Sequence, residues 1–204
     1  SGPLWENIDE KNKETILNQI TEGTGLVVIT PDMLPASLWS KMPFGQPSDQ
    51  LIKTISIKGG KWRKTESHFI TDGIPFEIFP ECSHHKYQAK GKVLIESGSD
   101  PILAINDGKT RIVAFAYCSN GGRSRSGFSL TPYFPFGEDV TSYHYWDYYF
   151  SLLAKSIIWA SHKEPAIKII RWESTNEKNN YDNLMQSQLV LNLNNTGNPI
   201  DVEL

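Results

Sequence analysis

His68 stands in the stretch ESHFITDGIPFEIFP (66–80), with Glu66, Asp72, Glu77 and, just beyond, Glu81 within reach along the chain. A histidine among carboxylates can act as a general base with Glu66, Asp72 or Glu81 as its acidic partner, or the set can ligate a metal. The plainer use of the same residues is local. A long loop must satisfy its own backbone polar groups, and histidine ring nitrogens do that well.

Three other groupings have chemical potential. Cys82, His84 and His85 form CSHH, but adjacent residues of an extended chain point opposite ways, so His84 and His85 chelate one ion poorly and the stretch reads as a surface loop. Gly121 to Gly127 (GGRSRSG) presents Arg123 and Arg125 with backbone N–H groups, a contact for an anion or a sugar acid, although it lacks a phosphate-loop signature. Glu22 to Leu34 (EGTGLVVITPDML) has the outline of a nucleophile elbow, a strand followed by a tight turn. Its one hydroxyl past the strand is Thr30, a weak nucleophile without a base, and Thr30-Pro31 also fits an ordinary strand-ending turn.

The elements around these residues are readable. Asp9 to Ile20 opens with acidic residues and sets Ile16, Leu17 and Ile20 on one face, which predicts a helix packed on a sheet. Gly23 and Gly25 end it, and GLVVI is apolar without alternation, as in a strand covered on both faces. A short helix is expected over Leu34 to Trp39 and an edge strand over 51–57, followed by an irregular excursion from Lys58 to Lys90. KVLIES (92–97), PILAIN (101–106) and RIVAFAY (111–117) are strands in quick succession, with Asp107-Gly108 a hairpin signal between the last two. Tyr143 to Ala160 is the clearest helix. Its wide stripe of Trp146, Tyr149, Phe150, Leu153, Ile157 and Ala160 is expected to be core. After Pro165 the texture becomes β-rich: AIKIIRWES is a strand, and QLVLNLNN with IDVEL suggests a hairpin turning at Thr196 to Asn198. Two segments follow, 1–164 and 165–204, the second the possible start of another module.

The chain has 204 residues, 39% of them hydrophobic, and a net charge of −3, enough for a buried core and without a global field for nucleic acid. Two cysteines, Cys82 and Cys118, make neither a disulfide framework nor a paired-cysteine zinc site, and leave their own pairing open. No apolar run approaches the roughly 20 residues that cross a bilayer. No metal and no cofactor are expected.

Taken in order, GTGLVVI, HFITDGIP, Tyr87, PILAINDGKTRIVAFAY and YWDYYFSLLAKSIIWA resemble the class I glutamine amidotransferase-like superfamily, and within it the trehalose-utilisation-type domains and the middle domain of some β-galactosidases. The resemblance runs over residues 5–162. It implies an α/β flavodoxin-like three-layer domain with a mostly parallel sheet. Such domains carry further strand–helix units ahead of the elbow, so the resemblance also implies either a reduced fold or a piece of a longer chain, truncated at its N-terminus. The superfamily's elbow cysteine is replaced by Ile29-Thr30-Pro31, and no His-Pro-Glu-like pair follows the hairpin. Glutamine hydrolysis is therefore not expected.

The expectation is a non-catalytic domain of a larger, exported (periplasmic or secreted), carbohydrate-related protein, serving assembly or small-ligand binding. Its partner would be the rest of that polypeptide or a second copy in a homo-oligomer, and a carbohydrate is the candidate ligand. His68, Tyr87, Arg123 and Arg125 are the candidate ligand-binding residues, gathered by loops at the strand ends. A competing expectation is an enzyme acting on a sugar or sugar derivative with His68 as base. A third is a purely structural interaction module, which predicts an exposed apolar patch.

Overall fold

The computed structural model describes residues 5, 7–29, 34–45, 56–57, 61–79, 84–116, 145–165, 167–174 and 189–195. The chain divides into two compact units, Ser1–Lys163 and Glu164–Leu204.

In the first unit, helix α1 (Glu10–Glu22) starts at Asp9, whose carboxylate accepts the Asn12 N–H at 2.9 Å. It stops at Gly23, whose N–H returns to the carbonyls of Gln19 and Ile20. The Thr110 hydroxyl donates to the Ile20 carbonyl at 2.6 Å and ties that end to the sheet. Strand β1 (Leu26–Ile29) follows at once. Helix α2 (Ala36–Trp39) is one turn, buried through Leu38 and Trp39. Strand β2 (Ser56–Ile57) pairs with β4 (His84–His85), and between them lie β3 (Trp62–Lys64) and a 3₁₀ turn at Phe76–Ile78.

Strands β5 (Lys92–Ser97), β6 (Asp100–Asn106) and β7 (Ile112–Phe115) form the centre of a five-stranded sheet in the order β1-β7-β6-β5-β3. Gly98, at φ 63, lets Ser97 and Asp100 pair across a two-residue turn. The β6–β7 hairpin turns where Asp107-Gly108 predicts it, with Asn106 opposite Ile112. These tight connections force antiparallel pairing, because parallel neighbours need a long crossover. Among the described residues of this sheet only β1 and β7 run parallel; β7–β6, β6–β5 and β5–β3 are antiparallel. The mixed α/β character is present, and the expected mostly parallel sheet is corrected to a mostly antiparallel one.

Each face of the sheet carries a core. On one, Leu103, Ile105, Val113 and Phe115 pack with Ile70, Phe76, Phe79 and helix α3 (Tyr145–Ala160). On the other, Val28, Ala104, Ile112 and Ala114 pack with Trp39, Met42, Phe44 and Tyr87. Residues in β1 and β7, and Leu103 to Ile105 in β6, alternate between the two, as period-two strands do. Side chains such as Leu152 and Trp159 of α3 contribute roughly 2 kcal/mol each by leaving water. Arg111 pins the end of that helix, donating to the Trp159 carbonyl at 2.9 Å with its guanidinium 4.7 Å from the ring centre.

Helix α3 departs from expectation in one respect. Of the predicted stripe, Tyr149, Leu153 and Ala160 are buried, but Phe150 is 47% and Ile157 59% exposed. The buried face is centred instead on Tyr149, Leu152, Ser156 and Trp159.

In the second unit, β8 (Ile167–Ser174) and β9 (Leu189–Asn195) pair antiparallel, Ile167 opposite Asn195 and Ser174 opposite Leu189. QLVLNLNN thus pairs with IKIIRWES; the expected partner IDVEL and the turn at 196–198 lie outside the described residues.

Candidate functional site

The His68 stretch folds into one helical turn. Thr71 and Asp72 donate their N–H groups to the His68 carbonyl at 2.9 and 2.8 Å. The imidazole Nδ1 accepts the Ile70 N–H at 3.2 Å, which places the ring proton on Nε2, and the ring meets Trp159 edge-on at 5.4 Å. The nitrogen that would act as a base is thus engaged by the loop's own backbone.

Asp72 is equally occupied. It accepts from the Ser67 hydroxyl at 2.9 Å, the His68 N–H at 3.2 Å and Lys64 Nζ at 3.2 Å. Burial pushes its carboxyl up, but the Ser67, Lys64 and His68 contacts outweigh burial and hold it below the usual carboxylate range. Lys155 of α3 donates to the Asp72 carbonyl, and burial lowers its ammonium pKa, partly offset by the Asp72 charge. Glu66 turns away to Lys92 at 2.6 Å, and Glu77 is exposed. The turn is a clasp that holds the 61–79 segment to α3.

Tyr87 lies on the opposite face of the sheet from His68. It is 5% exposed and stacked on Phe44 with ring centres 5.1 Å apart, inside the second core. The sheet therefore separates two of the four candidate ligand-binding residues. Arg123 and Arg125, like Glu81, Thr30, Cys82 and Cys118, lie outside the described residues.

His84 corrects the surface-loop reading of CSHH. Its side chain is 2% exposed in β4, with Nε2 3.2 Å from an Asp100 carboxylate oxygen whose partner oxygen faces Lys86 at 3.5 Å. A two-residue strand crossing the end of β7, where His85 donates to the Ala116 carbonyl at 2.7 Å, draws His84 inward. Nδ1 of His84 is buried without a hydrogen-bond partner among the described residues. No group of three metal-capable side chains occurs among them.

A different surface is open. Leu26 donates its N–H to the Arg111 carbonyl at 2.9 Å, so alternation along β1 aims the polar groups of Leu26 and Val28 at β7 and those of Gly25, Val27 and Ile29 outward. Among the described residues β1 is a margin of the sheet. Exposed strand margins are ordinarily guarded by charge, proline or bulges, and GLVVI has none of these.

Above this margin lies a groove of about 560 Å³. Val27 and Ile29 form its floor, Leu153, Ile157 and Ala160 of α3 its wall, and Thr24, Ser161 and His162 its polar end. Gly25 makes the close approach of the wall possible: a Cβ there would lie 1.9 Å from the Ala160 carbonyl oxygen. Three of the four large hydrophobics exposed among the described residues, Tyr148, Phe150 and Ile157, belong to α3. By helical spacing Phe150 and Ile157 share the flank bearing Leu153, which lines the groove, whereas Tyr148 is on the far side.

Residue types that signal chemistry drew attention to His68, and none of those types lines the floor of this groove. The legible signal was the width of the α3 stripe, broader than one buried face requires. Among the described residues no helix is long and apolar enough to cross a membrane. No family model matches the chain, and no curated protein or solved structure is significantly similar to it.

Proposed function

We propose that this chain is a non-catalytic assembly domain, a reduced relative of the amidotransferase-like layer, whose working surface is the margin of β1 beneath α3. The observation that carries the proposal is the coincidence of outward backbone groups at Gly25, Val27 and Ile29 with a solvent-facing apolar flank at Phe150 and Ile157. Unpaired strand polar groups and exposed apolar side chains are both costly in isolation, and one docking polypeptide removes both costs.

The proposed ancestry rests on the order of the motifs at Gly25 to Ile29, His68 to Pro75 and Gly108 to Phe115. Among the described residues only the β1–β7 pair carries the parallel character that a flavodoxin-like layer requires, and the layer is reduced in that sense. A place within a carbohydrate-related protein is part of this proposal through the resemblance alone. Engagement of His68 Nδ1 by Ile70 argues against the competing enzyme, which would need that nitrogen as its base.

A photo-reactive benzoylphenylalanine at position 157, compared with one at position 148, tests the reading. Polypeptide adducts from 157 and few from 148 are expected. Equal labelling, or none from either, would remove the basis for assigning assembly to this flank.

A further inference from the structure

The sequence holds two Asp-Gly steps, Asp72-Gly73 and Asp107-Gly108. In such a step the aspartate carboxyl carbon and the following backbone nitrogen can close a five-membered ring, and glycine, with no Cβ, leaves that nitrogen unshielded. Independently of the assembly reading, we propose that Asp107 is a site of spontaneous isomerisation to isoaspartate, and that the fold withholds the same chemistry from Asp72.

The reaction needs no reagent but water. The Gly108 nitrogen attacks Cγ of Asp107, the N–Cγ bond forms, and the Cγ hydroxyl leaves with the nitrogen's proton as one water. Water then opens the cyclic imide. Addition at Cγ restores aspartate, whereas addition at the main-chain carbonyl carbon breaks its bond to nitrogen, routes the backbone through Cγ and leaves that carbonyl as a free carboxylate. The group attacked is the neutral acid, so mildly acidic solution favours the step. The side chain and the peptide plane between the two residues must both rotate for Cγ to meet the nitrogen.

At Asp107 little opposes that rotation. The side chain is 64% exposed, and its contact among the described residues is Arg111 Nε, 3.3 Å from Oδ1. An exposed pair of this kind restrains weakly. Residues 108–110 form a bend between β6 and β7, and among the described residues the peptide groups of Asp107 and Gly108 make no backbone hydrogen bond. At Asp72 every polar group is held. The carboxylate accepts from Ser67, His68 and Lys64, the N–H donates to the His68 carbonyl at 2.8 Å, and the carbonyl accepts Lys155 at 2.5 Å. Burial pushes the Asp72 carboxyl up, but the Ser67, Lys64 and His68 contacts outweigh it and hold the group below the usual range, so less of it is the reactive neutral acid. Cyclisation at Asp72 must wait for the clasp to open, and a reaction that runs through a rare open state is slowed by the scarcity of that state. Isomerisation at Asp107 lengthens the turn by one backbone carbon and withdraws the carboxylate from Arg111, whose guanidinium also holds the Trp159 carbonyl at the end of α3.

Holding the intact chain at pH 6 and 37 °C for several weeks, then mapping its peptides by mass spectrometry with fragmentation that distinguishes isoaspartate from aspartate, tests the proposal. In the folded chain isoaspartate should accumulate at position 107 about tenfold faster than at position 72, or more, and in concentrated guanidinium chloride the two rates should converge. Gly108→Ala, whose Cβ would meet nothing closer than the Thr110 carbonyl oxygen at 3.9 Å, is expected to fold and to slow the reaction at 107 by shielding the nitrogen. Ser67→Ala, which removes one donor to the Asp72 carboxylate, should raise the rate at 72 and leave 107 unchanged. Deamidation at Asn120-Gly121, outside the described residues, changes the peptide mass and is scored separately. No isoaspartate at 107 in the folded chain, equal rates at 72 and 107 there, or a rate at 107 indifferent to Gly108→Ala overturns the proposal. A lag at 72 that persists in denaturant would show that local sequence, not the clasp, protects it, and would overturn the claim of protection by the fold.

Discussion

The turn at His68 and the margin of β1 lie against the same helix and resolve their polar groups in opposite ways. At His68, the imidazole takes the Ile70 N–H, Asp72 gathers Ser67, Lys64 and the His68 N–H, and Lys155 reaches over from α3. At β1, half the backbone groups are aimed away from the sheet and the nearest side chains are apolar. The turn is rich in groups capable of chemistry and has spent them on itself. The margin itself has no such groups, with Thr24, Ser161 and His162 confined to the groove's polar end, and among the described residues its outward backbone groups meet no partner, which makes it the better candidate for function.

The largest expected effect is at the hinge of the open region. Gly25→Ala drives a Cβ into the Ala160 carbonyl, a backbone atom that can yield only if the end of α3 moves. Overpacking of this kind costs about 3 kcal/mol, readable as a fall in the urea midpoint. A loss under about 1 kcal/mol would mean that α3 is not seated on β1 as described.

On the closed side, Asp72→Ala removes the acceptor for three donors. About 1 kcal/mol is expected, a modest figure because the Asp72 side chain is 43% exposed and solvent screens it. Association should not change. The acid dependence follows from the same contacts: the Asp72 carboxyl titrates lower in the folded chain than its ordinary value of 3.8. Its stabilisation is therefore complete above about that value and is lost as pH falls through the lower, folded pKa. Urea midpoints at pH 7 and pH 3 should differ less in Asp72→Asn than in the parent, and an equal acid loss in both would show that the clasp does not titrate.

The smallest effect on stability is expected at Ile157, which is 59% exposed. Ile157→Asp should shift unfolding by no more than about 0.5 kcal/mol while reducing association strongly. A large stability loss with association intact would invert the contrast between the two regions.

Much of the scaffold was legible. KVLIES, PILAIN and RIVAFAY are β5, β6 and β7, and Asp107-Gly108 marks their hairpin because that turn chemistry is local. Sheet direction was also implicit there, since successive strands joined by tight turns must be antiparallel, yet the family resemblance favoured a parallel layer. An apolar run such as GLVVI predicts a strand covered on both faces, but Leu26, Val27 and Ile29 are only partly buried, and the run says nothing about which strands lie on either side. Trp62–Lys64 was too short to show alternation. The stripe on α3 fixed the helix, but its exact buried arc depended on where Ala160 crosses Gly25, a contact 135 residues away in sequence that no local pattern encodes. His68 illustrates the same limit at a site, because its residue type was plain and the Ile70 N–H that occupies it was not.

The most direct test of the open margin is amide hydrogen exchange along β1 in dilute solution. Leu26 and Val28, bonded to β7, should exchange slowly, and Val27 and Ile29 quickly, an alternation within four residues. Uniformly slow exchange from Leu26 to Ile29 would show that the margin is already paired and would contradict the account.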